Sequence, residues 1–142
     1  MKSKIMDDHI NNLDMLFAEL DKRLDNDALP MFPKLIKEMI HTKNSSKALL
    51  LYSELLDKAR IERKHDEFSY YTFYSLDYIM HDNGCSKFTS KNILNKLVVA
   101  DLIKIEKLDE NNYLKIYILP PSDEDIQGWT VNIKDFLICQ NK

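Results

Sequence analysis

Apolar residues recur at Met6, Ile10, Leu13, Phe17, Leu20 and Leu24, at alternating steps of four and three. That a/d heptad spacing predicts an amphipathic helix from Asp7 to Leu24. Asp7 and Asp8 in its first turn and Lys22 and Arg23 in its last complement the helix dipole. Such a stripe suits a helix folded onto its own domain or a dimerisation helix. The dimerisation reading names Ile10, Leu13, Phe17, Leu20 and Leu24 as contact residues. The pattern breaks at Asp25–Pro33, where Pro30 and Pro33 mark a connector. A short helix or turn around Leu35–Ile40 follows, then a loop in which Ser45 or Ser46 caps the next helix. That helix runs from Lys47 to Ile61, with Ala48, Leu51, Tyr52, Leu55, Leu56 and Ala59 on one broad apolar face.

After the charged stretch Arg60–Glu67, Phe68–Tyr74 (FSYYTFY) is rich in aromatic and β-branched residues and predicts a short strand. Its five aromatics in seven residues would also suit a stacking platform for single strands. No lysine or arginine lies among them, which favours the half-buried strand. Ser75 caps a short helix, Leu76–His81, and Gly84 supplies the left-handed residue that ends it. Ser86 opens another helix reaching Val99, with Ile93, Leu94 and Leu97 inward. Leu102–Leu108 and Leu114–Ile118 alternate apolar and polar residues around the turn Asp109–Asn112, which predicts a hairpin. Pro120 and Pro121 close that unit. The tail holds Trp129, Val131, Ile133, Phe136, Leu137 and Ile138, predicting a last helix over Val131–Cys139 packed on the domain or on a partner chain, where Trp129–Ile138 would be the other candidate dimer contact. No internal repeat is visible.

The expected fold class is therefore mainly α, formally α+β. It is a winged helix-turn-helix with an extra N-terminal heptad helix and a C-terminal helical tail. The expected divisions are 1–30 (helix and connector), 31–119 (winged-helix domain) and 120–142 (acidic linker and tail helix).

Composition narrows the chemistry. A length of 142 residues with 44% hydrophobic content suits one domain with a real core. Only two glycines leave no G-x-G-x-x-G and no phosphate-binding P-loop. Two cysteines, Cys85 and Cys139, make no disulfide scaffold, and no Cys or His pair has metal-ligand spacing. The histidines at 9, 41, 65 and 81 stand scattered in polar contexts. No metal and no cofactor is expected. Neither is an enzyme: Asp123–Asp125 is the densest acidic cluster but follows two prolines, and Cys85 has no assignable base despite its place at a helix start. No apolar run approaches the roughly 18 residues that span a bilayer, and the N-terminus lacks a signal-peptide core. A cytoplasmic chain with reduced thiols and no membrane partner is expected.

The net charge of −3 hides a pattern. Residues 1–30 and 108–142 each carry −3, and residues 31–107 carry +3. Within segment 86–107, five lysines face Asp101 and Glu106. In a helix-turn-helix over Ser75–Val99, the second helix presents its N-terminal residues to a DNA major groove. Those residues are Ser86, Lys87, Thr89, Ser90 and Lys91, followed by Asn92, Asn95 and Lys96, with Lys104 on the wing. Hydroxyls, amides and ammonium groups in that order contact phosphates and base edges. The expected partner is double-stranded DNA, bound by a homodimer at a repeated or palindromic site. The alternative is a winged helix that docks a protein, and the acidic wing tip Asp109–Glu110 fits that reading.

Three blocks of sequence resemble the N-terminal domain of plasmid replication initiators of the RepA_N type. The first is Ser45, Ala48, Leu51, Tyr52, Leu55, Leu56 and Asp57; the second Cys85, Ser86 and Thr89; the third Leu97, Leu102 and Ile103. The resemblance spans residues 31–119. It implies a domain that binds repeated origin DNA as a dimer through Ser86, Lys87, Thr89, Ser90 and Lys91, and that loads other replication proteins. The acidic N-terminal helix is extra to that pattern and the wing lacks arginine. A transcriptional regulator of a phage or plasmid is the neighbouring alternative.

Overall fold

A computed structural model describes residues 2–23, 32–39, 44–107 and 113–122. The elements are α1 (Lys2–Arg23), α2 (Pro33–Met39), α3 (Ser45–Glu62), β1 (Tyr71–Ser75), α4 (Leu76–Asn83), α5 (Lys87–Val99), β2 (Ile103–Lys107) and β3 (Tyr113–Ile118). Helices thus combine with one small antiparallel sheet of order β1-β3-β2, a winged-helix-like α+β arrangement. Leu24, the wing tip Asp109–Asn112 and the tail helix expected over Val131–Cys139 lie outside the described residues. None of the described helices is long and apolar enough to cross a membrane.

The strand β3 is central, paired antiparallel with β1 along one edge and with β2 along the other. In β1 the partners run from Tyr71 opposite Tyr117 to Ser75 opposite Tyr113. In β2 they run from Ile103 opposite Ile118 to Lys107 opposite Leu114. Strand residues alternate between faces. Ile103, Leu114, Ile116, Ile118 and Thr72 therefore share the face packed against the helices. Helix α3 packs on α5, β1 and β3, while α4 and α5 pack on each other and on the sheet. The Tyr52 hydroxyl donates to the Leu119 carbonyl at 2.7 Å, tying the middle of α3 to the end of β3.

The first helix differs from the dimerisation reading. Leu13, Leu16, Phe17 and Leu20 are fully buried within the chain, and Ile10 packs partly buried beside them. The Phe17 ring meets Tyr70 edge-on at 5.1 Å, and the Tyr70 hydroxyl donates to Asp14 at 2.5 Å. Asp21 accepts from Arg60 at 2.6 Å and from Arg63 at 2.8 Å. The stripe is thus spent on the domain's own core. Burying each of these four large side chains is worth about 1.5–3 kcal/mol relative to leaving it in water. The helix also begins at Lys2, so Asp7 and Asp8 stand beyond its first turn.

A second difference concerns the start of α3. Its N-cap is Asn44, in the left-handed conformation with φ 62°, and not Ser45 or Ser46. Ser45 already belongs to the helix and is buried. Asparagine is one of the few side chains that tolerates this backbone region.

Candidate nucleic-acid interface

Two short caps build the turn that holds α5 out. Ser75 accepts from the Tyr78 N–H at 3.0 Å and starts α4. Gly84, at φ 60°, ends it, and the Cys85 N–H returns to the Met80 carbonyl at 3.0 Å. Ser86 then accepts from the Thr89 N–H at 3.1 Å and starts α5. Only three residues separate the two helices, so the N-terminal turn of α5 is fixed against α4 from both sides.

The inward stripe of α5 is Ser90, Ile93, Leu94 and Leu97. The outward residues are Ser86, Lys87, Phe88, Lys91, Asn92, Asn95, Val98 and Val99, with Thr89 and Lys96 half-buried. The fold therefore gathers Lys87, Lys91 and Asn95 on one exposed face, with the capping Ser86 exposed at its N-terminal end. Lys47, at the start of α3, reaches the same end, its Nζ 3.2 Å from the Cys85 sulfur. No acidic residue stands in the first turn of α5. The N-terminal end of α5 is accordingly cationic, with the amide of Asn95 two turns along.

Two of the expected DNA contacts are placed elsewhere. Ser90 is 0% exposed, and its hydroxyl has no hydrogen-bond partner among the described residues. It lies three, four and seven residues before Ile93, Leu94 and Leu97, so helical phase turns it inward with them. Lys104 stands on the sheet face opposite the helices, because it alternates with Ile103 and Ile105. Its ammonium sits 4.7 Å from the centre of the Phe68 ring.

That outer sheet face is a second cationic feature. Tyr71, Phe73 and Tyr117 share it with Lys104 and Lys115, and Phe68 packs edge-on to Tyr117 at 4.9 Å. The Lys115 ammonium lies 4.3 Å from Tyr71 and 4.7 Å from Tyr117, and Lys64 lies 5.7 Å from Phe73. The cations missing from the run 68–74 thus arrive from β2, β3 and the segment that follows α3. They lie on the ring faces that a stacked base would need.

Asp66 anchors this face. Its carboxylate accepts from the Tyr117 hydroxyl at 2.5 Å, the Phe68 N–H at 2.8 Å and Lys115 at 3.3 Å. Burial alone would raise its pKa, but these donors and the Ser69 N–H outweigh burial and hold it below the usual carboxylate range. A cleft of about 440 Å³ opens beside β1, lined by Lys58, Phe73, Tyr74, Ser75, Tyr78 and Tyr113. Burial first, and then the charges of Glu54, Tyr78, Asp82 and Glu62, push the Tyr74 phenol up to about 12. Among the described residues no group of three His, Cys, Asp or Glu could hold a metal ion. Cys85 is half-buried, and His81 is exposed on α4.

The residue the sequence reading passed over is Phe88, which is 75% exposed on the first turn of α5. Its signal was available: it stands two residues before the inward Ser90, nearly on the opposite side of the helix.

No protein-family model matches this chain. No curated protein matches it either. Two solved structures resemble it. One is described as the N-terminal domain of a DNA binding protein, with a TM-score of 0.49 and 16% identity over 83% of this chain and 91% of that one. The other is the structure of a Rep-DNA complex, with a TM-score of 0.51 and 19% identity over 83% of this chain and 93% of that one. The likeness to the second is one of fold.

Proposed function

We propose that this chain binds a specific duplex DNA site, with α5 lying in the major groove. The observation that carries the reading is the outward face of α5, where Lys87, Lys91 and Asn95 stand exposed, with Ser86 exposed at its N-terminal end. The turn at Gly84 holds that face away from the core. An α-helix about 10–12 Å across with its side chains fits a groove about 12 Å wide. Lysines neutralise phosphates, and the amide reads base edges. The fold neighbour described as a Rep-DNA complex supports DNA as the partner. With the resemblance to RepA_N initiators, it supports a role in plasmid replication initiation or its regulation. A net charge of −3 on the whole chain confines the attraction to this local face.

The test is fluorescence anisotropy against random duplex DNA from about 50 to 200 mM salt. The wild type is expected to bind at low salt and to release steeply. The double variant Lys87→Ala, Lys91→Ala is expected to bind more weakly, with a salt slope shallower by about 1.8 for two lost phosphate contacts. Equal affinity in the double variant would overturn the placement of α5. No binding by the wild type at low salt would favour a protein partner for the same helix.

A further inference from the structure

The exposed face of α5 also says which bases it suits, an inference that rests on the DNA-binding reading. Phe88, Lys91, Asn92, Asn95 and Val99 are all exposed. They follow the steps i, i+3, i+4, i+7 and i+11, which is one stripe of an α-helix. Phe88 and Val99 are each 75% exposed. The Phe88 ring, on the same turn as Lys87 and Lys91, leaves three quarters of its surface in water in the free chain.

In the major groove, thymine presents a C5 methyl group that apolar side chains contact. Adenine presents an N6 donor beside an N7 acceptor, which a carboxamide satisfies with two hydrogen bonds. Guanine is matched by an arginine fork or by a lysine. This chain has arginine only at 23, 60 and 63. None of the three is on α5, and Arg60 and Arg63 are paired with Asp21. The stripe therefore carries three partners of A·T pairs, Phe88, Asn92 and Asn95, against one lysine, Lys91, whose charge serves a phosphate as well as a guanine. Along the axis Asn92 lies about 6 Å and Asn95 about 10 Å beyond Phe88, at 1.5 Å per residue. Base steps of about 3.4 Å put these two residues roughly two and three pairs from the one that Phe88 meets.

We propose that Phe88 packs on a thymine methyl and that Asn92 and Asn95 read adenines, so that the duplex recognised by α5 has an A·T core. Lys87 and Lys91 flank the ring and take the phosphates.

The experiment selects binding sites from a library of duplexes with a random core, using wild type, Phe88→Ala, Asn92→Ala and Asn95→Ala. The selected duplex is then remade with deoxyuridine in place of single thymines, which removes only the methyl. The wild type is expected to select A·T pairs and to lose about fourfold in affinity at one deoxyuridine position. Phe88→Ala is expected to be indifferent to that replacement while keeping the wild-type salt slope, because it touches no phosphate. Each asparagine variant is expected to relax one adenine position. Selection of a G·C core, or indifference of the wild type to every deoxyuridine, overturns the proposal. If the lysine double variant still shows the reduced slope in that case, the DNA-binding reading stands without it. A wild type that binds no duplex removes both. Phe88, Asn92 and Asn95 are exposed, so a matching thermal melt identifies a variant whose loss is one of contact and not of folding.

Discussion

The hydroxyl of Ser90 and the ring of Phe88 stand two residues apart on α5 with inverted environments: the polar group is inside and the apolar one outside. A buried hydroxyl without a partner costs stability, so Ser90→Ala is expected to be neutral or to stabilise by up to about 1 kcal/mol. DNA affinity is expected to stay the same, as anisotropy would show. Ser86→Ala, in contrast, removes the cap that accepts from Thr89 and is expected to cost about 1 kcal/mol. Gly84 is the other single residue on which the interface depends. A Cβ there meets no atom within 4 Å, so Gly84→Ala is strained only through its φ of +60°. The expected loss is about 1 kcal/mol in a thermal or urea melt, with DNA affinity reduced no further than stability explains.

At the scale of elements, α1 carries the clearest consequence. Its heptad spacing is real, but the partner of the stripe is the chain's own core. Leu13→Ala is expected to cost about 3 kcal/mol, whereas Met15→Ala, at a position 61% exposed, is expected to change stability by less than about 0.5 kcal/mol. Leu13→Asp with Leu20→Asp is expected to unfold the protein; a folded monomer by light scattering and circular dichroism would return the stripe to a dimer interface. The aromatic run at 68–74 makes a similar point. Its strand was legible from composition, but the lysines that cover its rings come from positions 104 and 115 on other strands, which pairing alone brings near.

At the scale of the whole molecule, two carboxyls tie stability to pH with opposite sign. Asp66 is held below its ordinary value, so the unfolded chain binds more protons near pH 4. Its contribution is present above that range and is lost as pH falls through the folded pKa. Glu54 is raised, by burial first and then by the charge and hydrogen bond of Asp82. The folded chain there holds the extra proton, so Glu54 costs stability as pH rises through its folded pKa. Urea melts are therefore expected to show Asp66→Asn destabilised at pH 7, with the gap closing only as pH falls below about 4. Glu54→Gln is expected to be stabilised at pH 7, with its gain vanishing as pH falls from above toward about 4, before the Asp66 gap closes. A gap independent of pH in either variant would mean that the carboxyl charge plays no part.

The order of the elements and the ends of several of them were legible in the sequence because their causes are local. Period decides helix or strand, a serine oxygen caps the first free N–H groups, and a glycine accepts the left-handed turn that stops α4. The inward stripe of α5 was legible for the same reason, and helical phase alone would have placed Ser90 within it. What only the tertiary structure decided is which surfaces face one another. A heptad stripe reads the same whether its partner is another copy or the neighbouring helix, because burial rewards apolar area without regard to its source. Lys104 left the recognition surface and Lys47 moved next to it through strand pairing and helix packing across tens of residues. Those placements are set by the shape of the assembled core, which no local stretch of residues contains.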